Sequence, residues 1–380
     1  MILHPAIPSM LCPACSTALL LYPEHLGPVA IQLYNKMSAD QQKEWILSAG
    51  EKRITISFYT YERILNPRFL RDKLFLDWNP LHVLGRIYIA TEGVNAQLSV
   101  PSEHMEAFKS TLDSIDFLNG IRLNVAIEQD DLSFLKLTIK VRPKIVADGL
   151  KDWEADPNKG GVHLDAVEFN EIISSQDTIL IDMRNHYESE VGHFEGAVLP
   201  DVDTFRESLP RLVDEFSSQK DEKNIVMYCT GGIRCEKASA YFKNNGYQKV
   251  YQLNGGVIEY VRQIKQQGVE NKFHGKNFVF DARMAERVSD EVISTCHQCG
   301  APCDTHVNCA NIACNLLFIQ CDECGAKMES TCSDACLAVT HLPEEEQVRL
   351  RKGKKAKKRS FSKGRAAHLL QKETISQSTA

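Results

Sequence analysis

The chain contains no apolar run of the roughly eighteen residues that a membrane-spanning helix needs, so no span is expected. Met1 to Leu21 has no basic n-region ahead of its Ala18-Leu19-Leu20-Leu21 patch and carries Pro5, Pro8 and Pro13, so no export signal is expected either. A chain that is not exported has little use for disulfides. Its 13 cysteines, nine of them between Cys296 and Cys336, therefore read as reduced thiols suited to a metal, in a cytoplasmic protein. Acidic residues are missing from Arg349 to Arg365, where ten Lys or Arg stand; removing those ten charges from the net −6 leaves about −16 on the remainder. Such a tail is either a solvated terminus or an arm for a polyanion such as RNA, with Lys354, Lys355, Lys357, Lys358 and Arg359 at its centre.

What is present fits a globular protein: 43% hydrophobic and 25% charged residues. At 380 residues the chain exceeds one typical core, so two or three domains are expected. Residues 1–50 read as a helical leader, with Ser38-Ala39-Asp40 capping the stretch from Gln41 and a lone Cys12-x-x-Cys15 of no clear use. Over 51–150 the pattern gives strands at 54–59, 83–90, 94–100, 121–127 and 134–141, and helices at 65–77 and 102–115, a ferredoxin-like sandwich. Glu92 and Asn95 flank its hairpin turn and are not needed for it, which makes them surface-site candidates. Residues 143–165 read as a linker, with Pro143, Pro157, Gly160 and Gly161. From 167 to 269, strands at 178–182, 224–228 and 249–253 alternate with helices, which predicts a doubly wound parallel sheet whose ligand lies at the strands' carboxyl ends.

Cys229 occupies such an end. In Cys229-Thr230-Gly231-Gly232-Ile233-Arg234 a strand-end cysteine is followed by two glycines and then by a helix start. Backbone N–H groups and a helix N-terminus aimed at a sulfur lower its pKa and hold an anion. Four residues separate Cys229 from Arg234, one fewer than cysteine phosphatases use around phosphate, so a sulfur-sized anion such as a persulfide fits better. Cys229 is the candidate nucleophile and Arg234 its candidate partner, with Thr230, Gly231, Gly232 and Ile233 completing the loop. Asp182 and Arg184 at a neighbouring strand end are expected to pair and shape the pocket floor. Cys235 is expected to point away along the helix, and His193 to serve turn contacts.

The cysteine-rich segment, 290–340, begins with Cys296-x-x-Cys299 and continues with Cys321-x-x-Cys324, each pair followed by glycine as tight metal turns require. Four thiolates close a coordination shell, so a structural zinc is expected, with an iron–sulfur cluster as the rival. Cys303, Cys309, Cys314, Cys332 and Cys336 suffice for a second site, and His297 and His306 are substitute ligands. The basic tail then occupies 349–380.

Several stretches resemble rhodanese domains: the Cys229 loop, Asp182-Met183-Arg184, Gly192-His193-Phe194-Glu195-Gly196-Ala197 and Leu253-Asn254-Gly255-Gly256. Over roughly 50–345 the chain is similar to the bacterial tRNA uridine hydroxylase family. The residues that carry this are Gly85-Arg86-Ile87-Tyr88-Ile89-Ala90-Thr91-Glu92-Gly93-Val94-Asn95-Ala96-Gln97, the loop extended to Cys235-Glu236-Lys237-Ala238, and Cys296-His297-Gln298-Cys299-Gly300. The resemblance implies oxygen-dependent conversion of the wobble uridine of tRNA to 5-hydroxyuridine, with molecular oxygen as co-substrate and tRNA as partner. From the residues alone, Cys229 could act through a persulfide or by adding to the ring, and a persulfide sulfurtransferase acting on tRNA or a small acceptor stands as the alternative activity.

Overall fold

The structure is a computed structural model and describes residues 33–352. The chain divides into Met1–Tyr34 and Asn35–Ala380, and all helices and strands of the described residues lie in the second unit. Cys12, Cys15 and the tail residues Lys354, Lys355, Lys357, Lys358 and Arg359 lie outside the described residues.

Helix α1 (Ala39–Ala49) starts where Ser38 accepts from the Gln41 N–H and Gln41 returns the bond to the Ser38 N–H, and it stops at Gly50 in the left-handed region. Its buried Ile46 packs on Leu84 and Phe134.

There follow β1 (Arg53–Tyr61), α2 (Pro67–Trp78), β2 (Leu84–Ala90), β3 (Gly93–Pro101), α3 (Met105–Asp113), β4 (Asn124–Val125) and β5 (Leu137–Val141). The sheet order is β4-β1-β3-β2-β5, antiparallel except where β5 runs parallel to β2; the first four strands form the expected ferredoxin-like arrangement. Period-2 alternation divides the faces. Ile56, Phe58, Ile87, Ile89, Ala96 and Leu98 are buried, each of the larger ones contributing ~1.5–3 kcal/mol. Ser57, Tyr59, Arg86, Tyr88, Asn95 and Gln97 occupy the other face.

Two expected strands are shorter than their apolar patterns suggest. Beyond β4 the amides of β1 are met by side chains: Thr55 N–H donates to Gln129 Oε1 (2.8 Å) and Arg53 N–H to Asp131 Oδ1 (2.9 Å), which leaves no ladder to extend. The helix expected over 102–115 opens as a 3-10 turn, Ser102–His104, before α3.

The second sheet comprises β6 (Val162–Leu164), β7 (Thr178–Asp182), β9 (Asn224–Tyr228) and β10 (Val250–Leu253) in the order β6-β10-β9-β7, all parallel. Between them in sequence run α4 (Ala166–Ile173), α5 (His186–Ser189), β8 (Gly192–Phe194), α6 (Phe205–Glu215) and α7 (Ile233–Asn244), with α8 (Gly256–Gln267) after β10. Ile225, Met227 and Cys229 enter one core with Phe205, Leu209 and Phe242; Val226 and Tyr228 enter the other with Phe169, Val257 and Tyr260. The sheet is therefore covered on both faces, as doubly wound folds are. The stretch expected as a linker contributes the edge strand β6, whose three residues are too few to show a period.

Strand β11 (Phe273–Phe278) pairs antiparallel with β8 and with β12 (Ala285–Arg287). The cysteine-rich segment adds the hairpin β13 (His306–Asn308) and β14 (Leu317–Ile319), then α9 (Asp322–Met328) and α10 (Asp334–Thr340).

Candidate active site

The loop after β9 turns because Gly232 adopts φ 98°, a conformation that favours glycine, and its N–H donates to Cys229 Sγ at 3.2 Å. Helix α8 is fitted tightly behind. Val257 N–H donates to the Cys229 carbonyl (3.0 Å) and Ile258 N–H to that of Thr230 (3.2 Å). A Cβ on Gly256 would lie 2.4 Å from the Cys229 carbonyl oxygen, which explains the paired glycines at this point.

Burial pushes the Cys229 thiol up, but a hydrogen bond from the Cys235 thiol, the Arg234 charge and the N–H groups of Arg234 and Cys235 outweigh it and hold the thiol at about 6. Cys235, on the first turn of α7, is therefore close enough to act on the Cys229 sulfur rather than pointing away from it. Its own thiol is held well above the usual range, by burial first and then by the Cys229 thiolate, so it stays a donor. Cys229 is fully buried; Thr230, Gly231, Ile233 and Arg234 form the surface above it.

Arg234 makes a two-pronged pair with the buried Glu188, Nη1 to Oε2 at 2.6 Å and Nη2 to Oε1 at 2.8 Å. Glu188 also accepts from the Asn185 N–H (2.9 Å) in the cap of α5, so the guanidinium is anchored from a second strand end. Asp182 and Arg184 do pair, through Nε to Oδ1 (2.9 Å) and Nη2 to Oδ2 (2.7 Å). They are wholly buried and outside the cavity lining, however, and brace Tyr228, whose hydroxyl donates to Asp182 (2.7 Å). They support β9 through Tyr228 and, like Cys229 itself, lie behind the lining residues. His193 donates from Nδ1 to the Ser189 carbonyl (2.8 Å), a local contact at β8.

The polar face of the first sheet is turned to this loop. Tyr59 donates to Glu236 (2.9 Å), Tyr61 to the Ile233 carbonyl (3.0 Å), and Lys237 pairs with Glu92 (2.8 Å). Glu92 also accepts from the Ile145 N–H (2.9 Å) and Asn95 donates to the Ile145 carbonyl (3.3 Å), so the hairpin residues hold α7 and the following chain. Between the sheet and the loop lies a cavity of about 540 Å³, which Asn95 also lines. Its walls include Tyr88 and Gln97 on the sheet side, Thr230 and Gly231 on the loop side, and the half-buried Phe280, over which Arg234 lies at 5.9 Å. The arrangement places an acidified thiol directly behind the loop residues that line a chamber with aromatic and amide walls.

The nine clustered cysteines include two fours, Cys296, Cys299, Cys321, Cys324 and Cys309, Cys314, Cys332, Cys336, with the sulfurs of each within 4.8 Å of one another. Both could hold a metal ion. Cys299 to Cys321 spans 3.6 Å, and Cys314 to Cys332 and Cys332 to Cys336 each span 3.7 Å. Four thiolates around one tetrahedral ion with bonds of ~2.3 Å stand ~3.8 Å apart, so the residues fit a single ion in each cluster. Cys303 and both histidines fall outside the fours: His297 bonds Glu190 (2.7 Å), and His306 packs on Phe278 with burial holding it down to about 4.

Comparison with known proteins agrees with this architecture. A model described as a UPF0176 acylphosphatase-like domain matches residues 53–145, a rhodanese-like domain 165–263, and a rhodanase C-terminal segment 274–337. The chain is 51% identical over 340 residues to the tRNA uridine(34) hydroxylase of Photorhabdus laumondii, covering 89% of this chain and 96% of that one. It is 51% identical over 334 residues to that of Escherichia fergusonii, covering 88% and 95%, and 53% identical over 313 residues to that of Leptospira interrogans, covering 82% and 85%. The chain belongs to the tRNA uridine(34) hydroxylase family.

For this family member, the residues that sequence reasoning missed are those whose partners lie far along the chain. Glu188, Tyr59 and Glu236 meet the loop only through folding; the capping pattern Asn185-x-x-Glu188 is the one local signal.

Proposed function

We propose that this protein hydroxylates C5 of the wobble uridine of tRNA, using the Cys229 thiolate and molecular oxygen as co-substrate, in the cytoplasm. The observation that carries this reading is the thiol held at about 6 beside a chamber of nucleotide size, in a chain half identical over nearly its whole length to proteins named for that reaction. Thiolate addition at C6 makes C5 electron-rich toward oxygen. One oxygen atom stays on C5, and the other leaves as water with two electrons and two protons from a reductant of thiol or reduced-cofactor class. The thiolate leaves C6 as the C5 proton is lost. A thiolate is well suited to the task near pH 7. Arg234, tied to Glu188, holds positive charge beside the sulfur, and Thr230 to Ile233 form the loop that carries it.

Zinc is the ion proposed for both cysteine fours, on the donor set and its spacing; an iron–sulfur cluster would set its thiolates farther apart. Its contribution is structural, since four thiolates leave no open position for substrate. Lys354, Lys355, Lys357, Lys358 and Arg359 are proposed to meet tRNA phosphates. Nucleoside mass spectrometry of tRNA from a strain lacking the gene tests the reading. Loss of 5-hydroxyuridine and its derivatives is expected; unchanged levels, or loss of thiolated nucleosides instead, would overturn it.

A further inference from the structure

The sheet face that walls the cavity carries a straight polar row. Arg86 of β2 pairs in register with Gln97 of β3, Gln97 with Ser57 of β1, and Ser57 with Asn124 of β4. Directly paired residues share a face, so the four side chains stand side by side at the ~4.8 Å spacing of strands. All four line the cavity.

Asn124 is the telling member. It is 6% exposed, and its amide oxygen is buried with no hydrogen-bond partner among the described residues. An unpaired buried acceptor is costly, and folded proteins seldom leave one without cause. On the other side of the cavity the Thr204 hydroxyl is also buried and, among the described residues, without a partner. The short strand β4 is fixed in place, because the Glu286 carboxylate accepts from the Ile127 N–H just beyond it (2.9 Å) and Arg283 donates to the Glu128 carbonyl (2.5 Å). Asn124 thus lines the cavity from a braced strand.

A carboxamide offers an acceptor beside a donor. Its planar complement is a group with an N–H beside a C=O, which is what uracil carries at N3 and O4. With the amide oxygen toward N3, cytosine would oppose it with a lone pair. A turned amide would accept from N4–H instead, so the preference for uracil rests on the orientation in which Oδ1 faces N3. A base that reaches such a wall has left its stack, as bases do in enzymes that act on them, and the half-buried Phe280 offers a ring to stack on. A cavity of 540 Å³ is within the ~300–1,000 Å³ range of small-ligand sites and suits one nucleotide rather than a helix of RNA.

We infer that this cavity receives the flipped-out wobble base and that Asn124 reads its Watson–Crick edge, accepting from N3–H. The inference rests on the tRNA uridine reading above and adds to it the residue that tells uracil from cytosine.

The test uses the full chain and synthetic anticodon stem–loops that differ only at the wobble position, which carries uridine, N3-methyluridine or cytidine. An unrelated hairpin serves as control. Wild-type protein should bind the uridine hairpin about tenfold or more tightly than the other two anticodon hairpins. Asn124→Ala should bind all three alike, with the affinity lost mainly for uridine. If wild-type protein prefers the anticodon hairpins to the control yet binds uridine and N3-methyluridine equally, Asn124 is not the reader while the tRNA reading stands. If it binds the control equally well, the tRNA reading itself fails and this inference with it. The wild-type comparison of uridine with N3-methyluridine does not depend on the variant folding. If Asn124→Ala folds, as circular dichroism will show, and keeps the uridine preference, the assignment is overturned.

Discussion

The Tyr59 hydroxyl donates to Glu236 at 2.9 Å and sits so close to the Cys229 loop that a Cβ on Gly232 would lie 2.8 Å from it. One side chain of the first sheet therefore both holds α7 and limits the loop that α7 begins. Glu236 also bonds His163 (3.0 Å) and Gln252 (2.7 Å), so β1, β6, β10 and α7 meet at a single carboxylate. Burial raises that carboxyl, and the bonds from His163, Gln252 and Tyr59 more than reverse it, leaving its pKa lowered.

Removing the Tyr59 hydroxyl should loosen this junction without opening a large void. Tyr59→Phe is expected to cost ~0.5–1.5 kcal/mol, since Glu236 keeps its other partners. Thermal unfolding should show a lower Tm. Gly232→Ala should be far more damaging, because alanine is strained at φ 98° and its methyl meets Tyr59. An active Gly232→Ala protein would contradict the loop geometry.

The thiolate is the reactive form, and its fraction grows as pH rises. Alkylation of Cys229 by iodoacetamide, followed by mass spectrometry of its peptide, should therefore gain rate as pH passes about 6, where an unassisted thiol would wait until 9.0. In Cys235→Ala one of the groups that favour the thiolate is gone and burial still opposes charge, so the profile should move to higher pH. A profile unchanged by that substitution would remove Cys235 from the account.

How much of the molecule is legible in the sequence depends on how local each signal is. The strands Thr178–Asp182 and Asn224–Tyr228 are legible to the residue, because continuous apolar runs at the centre of a parallel sheet end where turn residues begin. The polar row Arg86-Gln97-Ser57-Asn124 is not, because its members come from four strands and acquire a common face only through register. The direction of Cys235 is hidden because helical periodicity places a side chain relative to the axis, while the loop ahead of α7 brings Cys229 round to that side. The cysteine spacing brings out the first four candidate ligands; dividing the other five needs the fold of β13, β14 and α10.

Metal content makes the next prediction. Two equivalents of zinc per chain are expected, one for each group of four cysteines. Cys299→Ser or Cys314→Ser should each reduce this to about one, measured by plasma mass spectrometry on purified protein. A chelator should remove the ion that closes each group of four and unfold the segment cooperatively. Iron and a brown colour would exchange zinc for a cluster.

The basic tail predicts a salt effect. Neutralising Lys354, Lys355, Lys357, Lys358 and Arg359 should weaken tRNA binding and flatten the dependence of log K on log salt, by up to ~0.7–0.9 for each phosphate no longer neutralised. An identical slope would return the tail to the role of a solvated terminus.

The most direct test of the central claim joins the gene to the product through one atom. In a strain lacking the gene, complementation with the wild-type sequence should restore 5-hydroxyuridine and its derivatives in tRNA, and Cys229→Ser, expressed to the same level, should restore none. Full restoration by Cys229→Ser would contradict the account, because the chemistry would then not depend on the thiolate around which the loop, Arg234 and Cys235 are arranged.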